Sequence, residues 1–400
     1  MNTPLEDRVH DALHRTADPL QRAPFTVGDV RTRARRIQRR RAVAAGAAVA
    51  AVLAVAVPFG LTMTGPAQRT EVPPATQTPS YVGQVTIDPR SAEVSATPAG
   101  VPLLDLSVPS VSAGSAQLDL PKPYEQLTPY RDGWIGTLNV DGDYVVDVLD
   151  DSFTVLDETP GASPLVVSPD GQRVASTFDA GDHWSVINSD VAGEELERPW
   201  ASVPDGPVGT VVTPVGFVSA DEVLVSRLDG GDGTFSYYLA DGDQLEPLPW
   251  LDQPTSASPV TGTIAAQDDS CAAVLDAHSS SGAALWRTCD HVLGPFSPDG
   301  SLVVGFTPTP GGDYPGLSLL DAATGASRVD FRVTMPKRHV VGIASQVVWE
   351  DDEHLLAVYT DNADQYVVRL GVDGSVERVA GPVTVESGEY ALRLTPGDVG

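Results

Sequence analysis

The sequence predicts an all-β protein whose large outer part is tethered to a membrane by a single helix. One observation is an uncharged run of 22 residues, 42–63, that directly follows three arginines. The other is that short runs rich in Val, Leu, Tyr and Trp alternate with Gly, Asp and Pro turns beyond residue 64, without a convincing helical period. Together these patterns predict a chain divided by a bilayer, with β-sheet structure in its longer part.

The apolar run at 42–63 is long enough to cross a hydrocarbon core of about 30 Å as a helix. Residues 1–41 contain ten Arg and five acidic residues, a net charge of +5, which leaves −34 for the remainder of a chain whose total charge is −29. The arginines that adjoin the run are Arg39, Arg40 and Arg41. Because arginine-rich flanks stay cytoplasmic, we expect the N-terminus inside and the residues after about 64 outside.

Composition divides the chain into five parts. They are a basic cytoplasmic segment with short helices (1–41), a transmembrane helix (42–63), a Pro/Thr-rich linker (64–80), a partly extended segment that adds one or two strands (81–123) and a β domain (124–400). Two alternatives stay open for the apolar run: a buried Ala/Val core helix, and a signal peptide cleaved at the small residues around Ala54-Val55-Ala56. The first segment either docks on a partner or holds the span against anionic lipid headgroups.

Both cysteines, Cys271 and Cys289, fall in the predicted outer part, where a disulfide is permitted. Between them, Ser279-Ser280-Ser281-Gly282 favours a turn that would fold the two flanking apolar runs into a hairpin. The two sulfurs would then lie nearly opposite each other, which predicts a cross-strand disulfide. Two reduced, buried thiols are the alternative.

A four-residue motif recurs in the outer part. Ser168-Pro169-Asp170-Gly171 returns as Ser297-Pro298-Asp299-Gly300, each time between two apolar runs, and weaker copies match at the third position. The third-position aspartates are Asp132, Asp170, Asp221, Asp269, Asp299 and Asp352. Their spacings of 38, 51, 48, 30 and 53 residues suit a repeat of four strands. The short interval of 30 residues predicts that the repeat containing both cysteines lacks its outer strand.

An apolar strand, Ser-Pro-Asp-Gly and a Val-rich strand resemble the repeat of TolB-like, WD-related β-propellers. This resemblance covers roughly residues 124–400 and implies an all-β propeller of six or seven blades outside the membrane. In that family the motif is the tight turn between the first two strands of a blade, where Asp caps the turn and Gly171 or Gly300 takes a positive φ. The motif residues are structural there, so the resemblance implies no functional site. The layout is also similar to that of a group of uncharacterised actinobacterial membrane proteins.

No catalytic motif stands out in the sequence, which lacks a Gly-x-Ser-x-Gly elbow, a His-Glu-x-x-His pair and a phosphate-binding loop. We therefore expect no enzymatic activity and no cofactor. Three acidic stretches, 141–143, 229–233 and 241–243, resemble oxygen-rich calcium loops, although most Asp-Gly pairs between apolar runs are hairpin turns. The strong negative charge disfavours nucleic acid as a partner of the outer part.

These observations favour a single-pass membrane protein that displays an extracytoplasmic propeller as a binding or scaffold module for an unidentified ligand or protein. One alternative is an anti-sigma-like regulator that senses through the propeller and holds a transcription factor through its inner segment. The other is an extracytoplasmic propeller enzyme of the lyase or glycosidase type, which a pair of carboxylates facing the central channel would favour.

The predicted topology can be tested by adding protease to intact cells that express the full chain with an N-terminal epitope tag. We expect loss of the acidic outer part and protection of a short tagged fragment that ends near residue 80, because the bilayer shields only the inner segment and the span. A chain that stays intact until the cells are lysed would contradict this topology.

Overall fold

The structure is a computed structural model that describes residues 80–192, 201–204, 206–268, 271–308, 314–333, 341–361, 364–385 and 391–397. All regular secondary structure in these residues is β-strand, as the sequence predicts. Within the same ranges, no helix has the length and hydrophobicity that a bilayer crossing needs. The predictions for 1–41, including Arg39, Arg40 and Arg41, for the span 42–63 and for the linker up to residue 79 lie outside the described residues.

Thirty strands follow one another along the described chain. The first five are β1 (Gly83–Ile87), β2 (Glu93–Val94), β3 (Leu103–Asp105), β4 (Ser110–Ala113) and β5 (Ala116–Asp119). The next eight are β6 (Gln126–Tyr130), β7 (Gly133–Val140), β8 (Asp143–Leu149), β9 (Val155–Ala162), β10 (Val166–Val167), β11 (Arg173–Asp179), β12 (His183–Asp190) and β13 (Ala201–Pro204).

The remaining strands complete the chain in groups of four and end with a single short strand. They are β14 (Val211–Phe217), β15 (Glu222–Leu228), β16 (Phe235–Asp241), β17 (Gln244–Pro247), β18 (Pro254–Ser258), β19 (Thr263–Asp268), β20 (Cys271–Asp276) and β21 (Ala284–Thr288). They continue with β22 (Val292–Phe296), β23 (Leu302–Phe306), β24 (Gly316–Asp321), β25 (Ser327–Val333), β26 (Val341–Trp349), β27 (His354–Asp361), β28 (Asp364–Gly371), β29 (Val376–Thr384) and β30 (Leu392–Leu394).

The described strands form six sheets arranged as a β-propeller, and five of these sheets are separate blades. Their orders are β1-β25-β24-β23-β22, β2-β29-β28-β27-β26, β14-β15-β16-β17, β18-β19-β20-β21 and β30-β3-β4-β5. The sixth sheet contains β6–β13, and its two halves are joined by a single facing pair, Ala162 of β9 and Phe178 of β11. Each half has four strands, so counting the halves separately gives seven units of four or five strands in the described residues, whereas the five separate blades are fewer than the six or seven that the sequence predicts.

The core lies between neighbouring blades, so the middle strands are buried on both faces. All five residues of β23 are buried, and a large buried cluster joins Phe331 and Leu319 of one blade to Trp349 and Leu355 of the next. Burial on both faces explains why these strands read as continuous apolar runs and do not alternate with polar residues. Ile87 of β1 is completely buried in the same cluster.

The N-terminal segment contributes far more to the propeller than the sequence predicts. The prediction of one or two added strands in 81–123 is too low, since this segment supplies β1–β5. β1 pairs with β25 and β2 with β29, both in parallel, as outer fifth strands of two blades. β3, β4 and β5 form three strands of another blade, whose first strand is the C-terminal β30. The propeller therefore begins near residue 83 and not at the predicted residue 124. The sequence does not reveal this start, because one of the blades combines strands from both ends of the described chain.

A buried arginine ties the N-terminal segment to the blade of β26–β29. Arg369 on β28 donates through Nε to Glu350 Oε2 (2.5 Å) and through Nη2 to Glu350 Oε1 (2.8 Å). Its Nη1 donates to Glu377 Oε2 (3.0 Å) and Ser95 Oγ (2.6 Å), and Nη2 donates to the Pro98 carbonyl (3.0 Å). The side chains of Arg369 and Glu350 are only 8% and 10% exposed, so each depends on the other for its charge to be tolerated.

Substitution of this arginine should therefore loosen the N-terminal segment. We expect Arg369→Leu to lower the free energy of unfolding by about 3 kcal/mol, since it leaves the Glu350 carboxylate buried without its partner. Denaturant unfolding of the full chain in detergent measures the change. Arg328→Leu on β25 is the control, because no carboxylate of the described residues forms an ion pair with Arg328. Equal losses in the two variants would contradict the assigned role.

Candidate functional site

The repeated Ser-Pro-Asp-Gly motif forms the turn between the first and second strands of its blade, in agreement with the prediction. In the copy between β10 and β11, the Ser168 hydroxyl donates to Asp170 Oδ1 (2.6 Å) and accepts from the Arg173 amide (2.9 Å). The Gln172 amide also donates to Asp170 Oδ1 (3.1 Å), and Gly171 has a φ of 68°. The aspartate thus caps the turn, and glycine supplies the left-handed conformation.

The copy between β22 and β23 repeats the same hydrogen bonds. Ser297 donates to Asp299 Oδ1 (2.6 Å) and accepts from the Leu302 amide (3.0 Å), and Gly300 has a φ of 70°. A Cβ at Gly300 would also lie 2.8 Å from the Ser258 hydroxyl of the preceding blade. Glycine is therefore required here both for its backbone conformation and for close packing between blades.

The weaker copies at Asp132, Asp221 and Asp352 also follow the first strand of a blade, namely β6, β14 and β26. The assignment of Asp269 to this set is wrong: position 269, which lies outside the described residues, follows the second strand, β19, and the corresponding turn is at 259–262. This shift by one strand produced the short interval of 30 residues. The blade that contains both cysteines has four strands, so the prediction that it lacks its outer strand is also wrong.

Two aspartates of these turns, Asp299 and Asp352, have pKa values that are shifted in opposite directions. Burial raises the pKa of Asp299, but hydrogen bonds from Ser297 and Ser301 outweigh burial and hold the pKa below its usual range. Burial and the charge of Asp299 raise the pKa of Asp352. The motif aspartates are thus parts of a turn network, as the resemblance implies.

The two cysteines meet across the predicted hairpin. Cys271 begins β20, and Cys289 directly follows β21, where Ala272 faces Thr288. Their Cα atoms are 4.0 Å apart, and the sulfurs are joined as a disulfide. The turn contains Gly282, whose φ is 64°. The structure thus supports the disulfide-capable pair that the turn cluster predicts.

Acidic stretches that resemble calcium loops are hairpin connections. Asp141 (φ 55°) and Gly142 (φ 100°) form the two-residue loop between β7 and β8. Gly242 (φ 55°) lies in the loop between β16 and β17. Two-residue hairpin loops commonly form type I′ turns, in which both central residues have a positive φ. Within the described part of the chain, no group of three or more His, Cys, Asp and Glu side chains is placed to hold a metal ion.

A histidine, a serine and an aspartate approach one another in the blade of β22–β25. His291 Nε2 lies 3.1 Å from Ser318 Oγ, which in turn donates to Asp330 Oδ1 (2.6 Å). A nucleophilic triad needs the carboxylate on the far side of the histidine, where it orients the ring. In this blade the carboxylate accepts directly from the serine, so the hydrogen bond joins β24 to β25, and no carboxylate of the described residues is hydrogen-bonded to the His291 ring.

Asp330 also anchors the start of the N-terminal segment. It accepts hydrogen bonds from the hydroxyls of Tyr81 (2.8 Å) and Ser327 (2.7 Å). Burial raises the pKa of Asp330, but these hydroxyls and that of Ser318 outweigh it and hold the pKa below its usual range. Burial lowers the pKa of His291, so its ring is neutral at pH 7.

The turns between first and second strands together form what we call the turn face, and a cleft opens there across three consecutive blades. This turn-face cleft has a volume of about 290 Å³. It is lined by Asp170, Arg173 and Asp190 of the β10–β13 blade, by Phe217 and Ser219 at the end of β14, and by Val260 after β18. The innermost strands end at these turns, so the cleft lies where three of them reach the turn face.

The charged side chains that line the turn-face cleft form no ion pair with one another. Arg173 Nε donates to Asn188 Oδ1 (2.9 Å), which orients the guanidinium, and Asn188 is completely buried. No carboxylate oxygen of the described residues lies within 4.0 Å of the Arg173 nitrogens, although Asp170 and Asp190 line the same cleft. Both signs of charge are therefore available to a ligand beside an apolar surface.

Sequence reasoning singled out Asp170 but missed the rest of the turn-face cleft. A difference between the two well-matched copies of the motif could have indicated the cleft. Five positions after the motif serine, one copy has Arg173 and the other has Leu302. Leu302 is buried in the core, as a residue at the start of a blade's second strand should be. Arg173 is charged at the position where the other copy has a buried leucine, and packing in the core does not explain such a residue.

No protein-family model matches the chain, and neither does any curated protein sequence. Among solved structures, the uncharacterized protein lmo1340 from Listeria monocytogenes EGD-e has 8% identity and a TM-score of 0.46, with 70% of this chain and 92% of that chain covered. The β-propeller domain of Cps50 (Swd1) from Myceliophteria thermophila has 13% identity and a TM-score of 0.42, with coverage of 65% and 88%. Prolyl oligopeptidase B from Galerina marginata has 8% identity and a TM-score of 0.47, with 66% of this chain and only 43% of that chain covered. The likeness is one of fold and extends to no ligand or activity.

Proposed function

We propose that this chain is a single-pass membrane protein that displays its propeller outside the cell membrane as a non-enzymatic binding module. The display is supported by the uncharged run at 42–63 and by the opposite net charges of the segments before and after it. Membrane lipid is then a partner through the span. The excess of negative charge in the outer part argues against binding to nucleic acid.

The observation that carries the binding role is the Arg173 guanidinium in the turn-face cleft, which forms no ion pair with a carboxylate of the described residues. Arg369, which has a structural role, donates hydrogen bonds to two carboxylates, a hydroxyl and a backbone carbonyl. Within the described part of the chain, Arg173 donates only through Nε, and it lies in a cleft that is also lined by Phe217 and the exposed Val260. A few convergent polar groups beside apolar side chains in a cleft are the usual composition of a ligand site.

A photo-crosslinking amino acid at position 260 tests this function in living cells. Val260 is 61% exposed at the wall of the cleft, so a ligand bound there should be captured after illumination and detected as added mass on the chain. We expect the same adduct to be lost when Arg173→Gln is added, because the ligand then loses its charge-assisted hydrogen bonds.

Leu156 on β9 is the matched control, because it is 66% exposed and does not line the cleft. A crosslinker at position 156 should give no adduct that depends on Arg173. Equal capture at positions 260 and 156, or capture at 260 that is unchanged by Arg173→Gln, would overturn the assignment of the cleft as the binding site.

A further inference from the structure

The size of the turn-face cleft limits what it can hold. Its volume of about 290 Å³ is just below the ~300–1,000 Å³ that small-molecule sites span. A ligand enclosed there is therefore a small molecule or the end of a chain, and a folded protein surface would reach only its rim.

One end of the cleft is built for an anion. Arg173 is held at Nε by Asn188 Oδ1 (2.9 Å), and Asn188 is held in turn by the Ala220 carbonyl, which accepts from its Nδ2 (3.4 Å). The Nη groups of Arg173 donate to no acceptor of the described residues. A guanidinium that is fixed at Nε keeps its outer N–H groups in the planar geometry that pairs with a carboxylate through two hydrogen bonds.

The same cleft offers acceptors for a cation. Asp170 Oδ1 is occupied by the Ser168 hydroxyl (2.6 Å) and Asp190 Oδ1 by the Ala192 amide (2.8 Å). In both residues Oδ2 accepts no hydrogen bond from the described residues, and both side chains are exposed. Two free carboxylate oxygens near one guanidinium favour a ligand that carries an ammonium group as well as an anion.

The turn-face cleft also offers an apolar surface to a ligand. Val260 follows β18 and is 61% exposed, so it offers an apolar side chain to a ligand, and the buried Phe217 lines the cleft at the end of β14. An apolar ligand side chain that packs on Val260 would remove hydrocarbon surface from water without burying an unpaired polar group.

We propose that the turn-face cleft binds a small zwitterion with an apolar side chain, that is, a short peptide with free ends. The carboxylate pairs with Arg173, the ammonium group lies near Asp170 and Asp190, and the apolar side chain packs on Val260. This inference rests on the proposed binding function, since it names the ligand class of the same cleft.

Calorimetric titration of the full chain in detergent tests the ligand class with the dipeptide L-alanyl-L-leucine. We expect saturable binding, and at least about tenfold weaker binding of both N-acetyl-L-alanyl-L-leucine and L-alanyl-L-leucinamide, because each lacks one of the two charges. Arg173→Gln should weaken the dipeptide and abolish its advantage over the amide. Asp190→Asn should reduce its advantage over the N-acetyl form.

Arg328→Gln is the control, because it removes an arginine that neither lines the cleft nor forms an ion pair in the described residues, and it should leave the titration unchanged. The proposal is overturned if no saturable heat appears up to ~10 mM dipeptide, or if the blocked peptides bind as well as the free one. In that event, an Arg173-dependent adduct at position 260 in cells would show that the cleft binds a different class of ligand. Absence of both signals would reject the binding function itself.

Discussion

The propeller depends on a pairing between the two ends of the described chain. β30, at the C-terminal end, pairs with β3 in antiparallel register, with Leu103 facing Leu394 and Asp105 facing Leu392. On its other side, the Thr395 hydroxyl donates to the Leu127 carbonyl of β6 (2.6 Å), which joins the closing blade to the next. Without this pairing, β3–β5 would lose their inner strand and buried faces of neighbouring blades would be left in water.

Local features of this fold could be predicted from the sequence, whereas its closure could not. Ser-Pro-Asp-Gly determines its own turn through hydrogen bonds within six residues, so Asp170 and Asp299 were located correctly. The closing blade joins β30 to β3 across nearly three hundred residues of sequence, and no local pattern reports such a contact. Asp269 was misassigned for a different reason: a pair of aspartates between two apolar runs does not show which two strands of a blade it connects.

The turn-face cleft was beyond sequence reasoning because three blades contribute to it. Arg173, Phe217 and Val260 are separated by more than forty residues from one to the next, and only the ring brings their turns together. Each belongs to an ordinary strand or turn when it is considered alone. Their combination includes an arginine that pairs with no carboxylate of the described residues, and this distinguishes the cleft from the hairpin turns around it.

Hydrogen exchange of the full chain, compared with a chain that stops after residue 390, tests ring closure most directly. If β30 closes the ring, its loss should greatly accelerate amide exchange in β3–β5 and also in the parallel strands β1 and β2, because they precede the same blade on one continuous segment. Exchange of residues 83–119 that is equally slow in both chains would contradict a propeller closed by the two ends of the described chain.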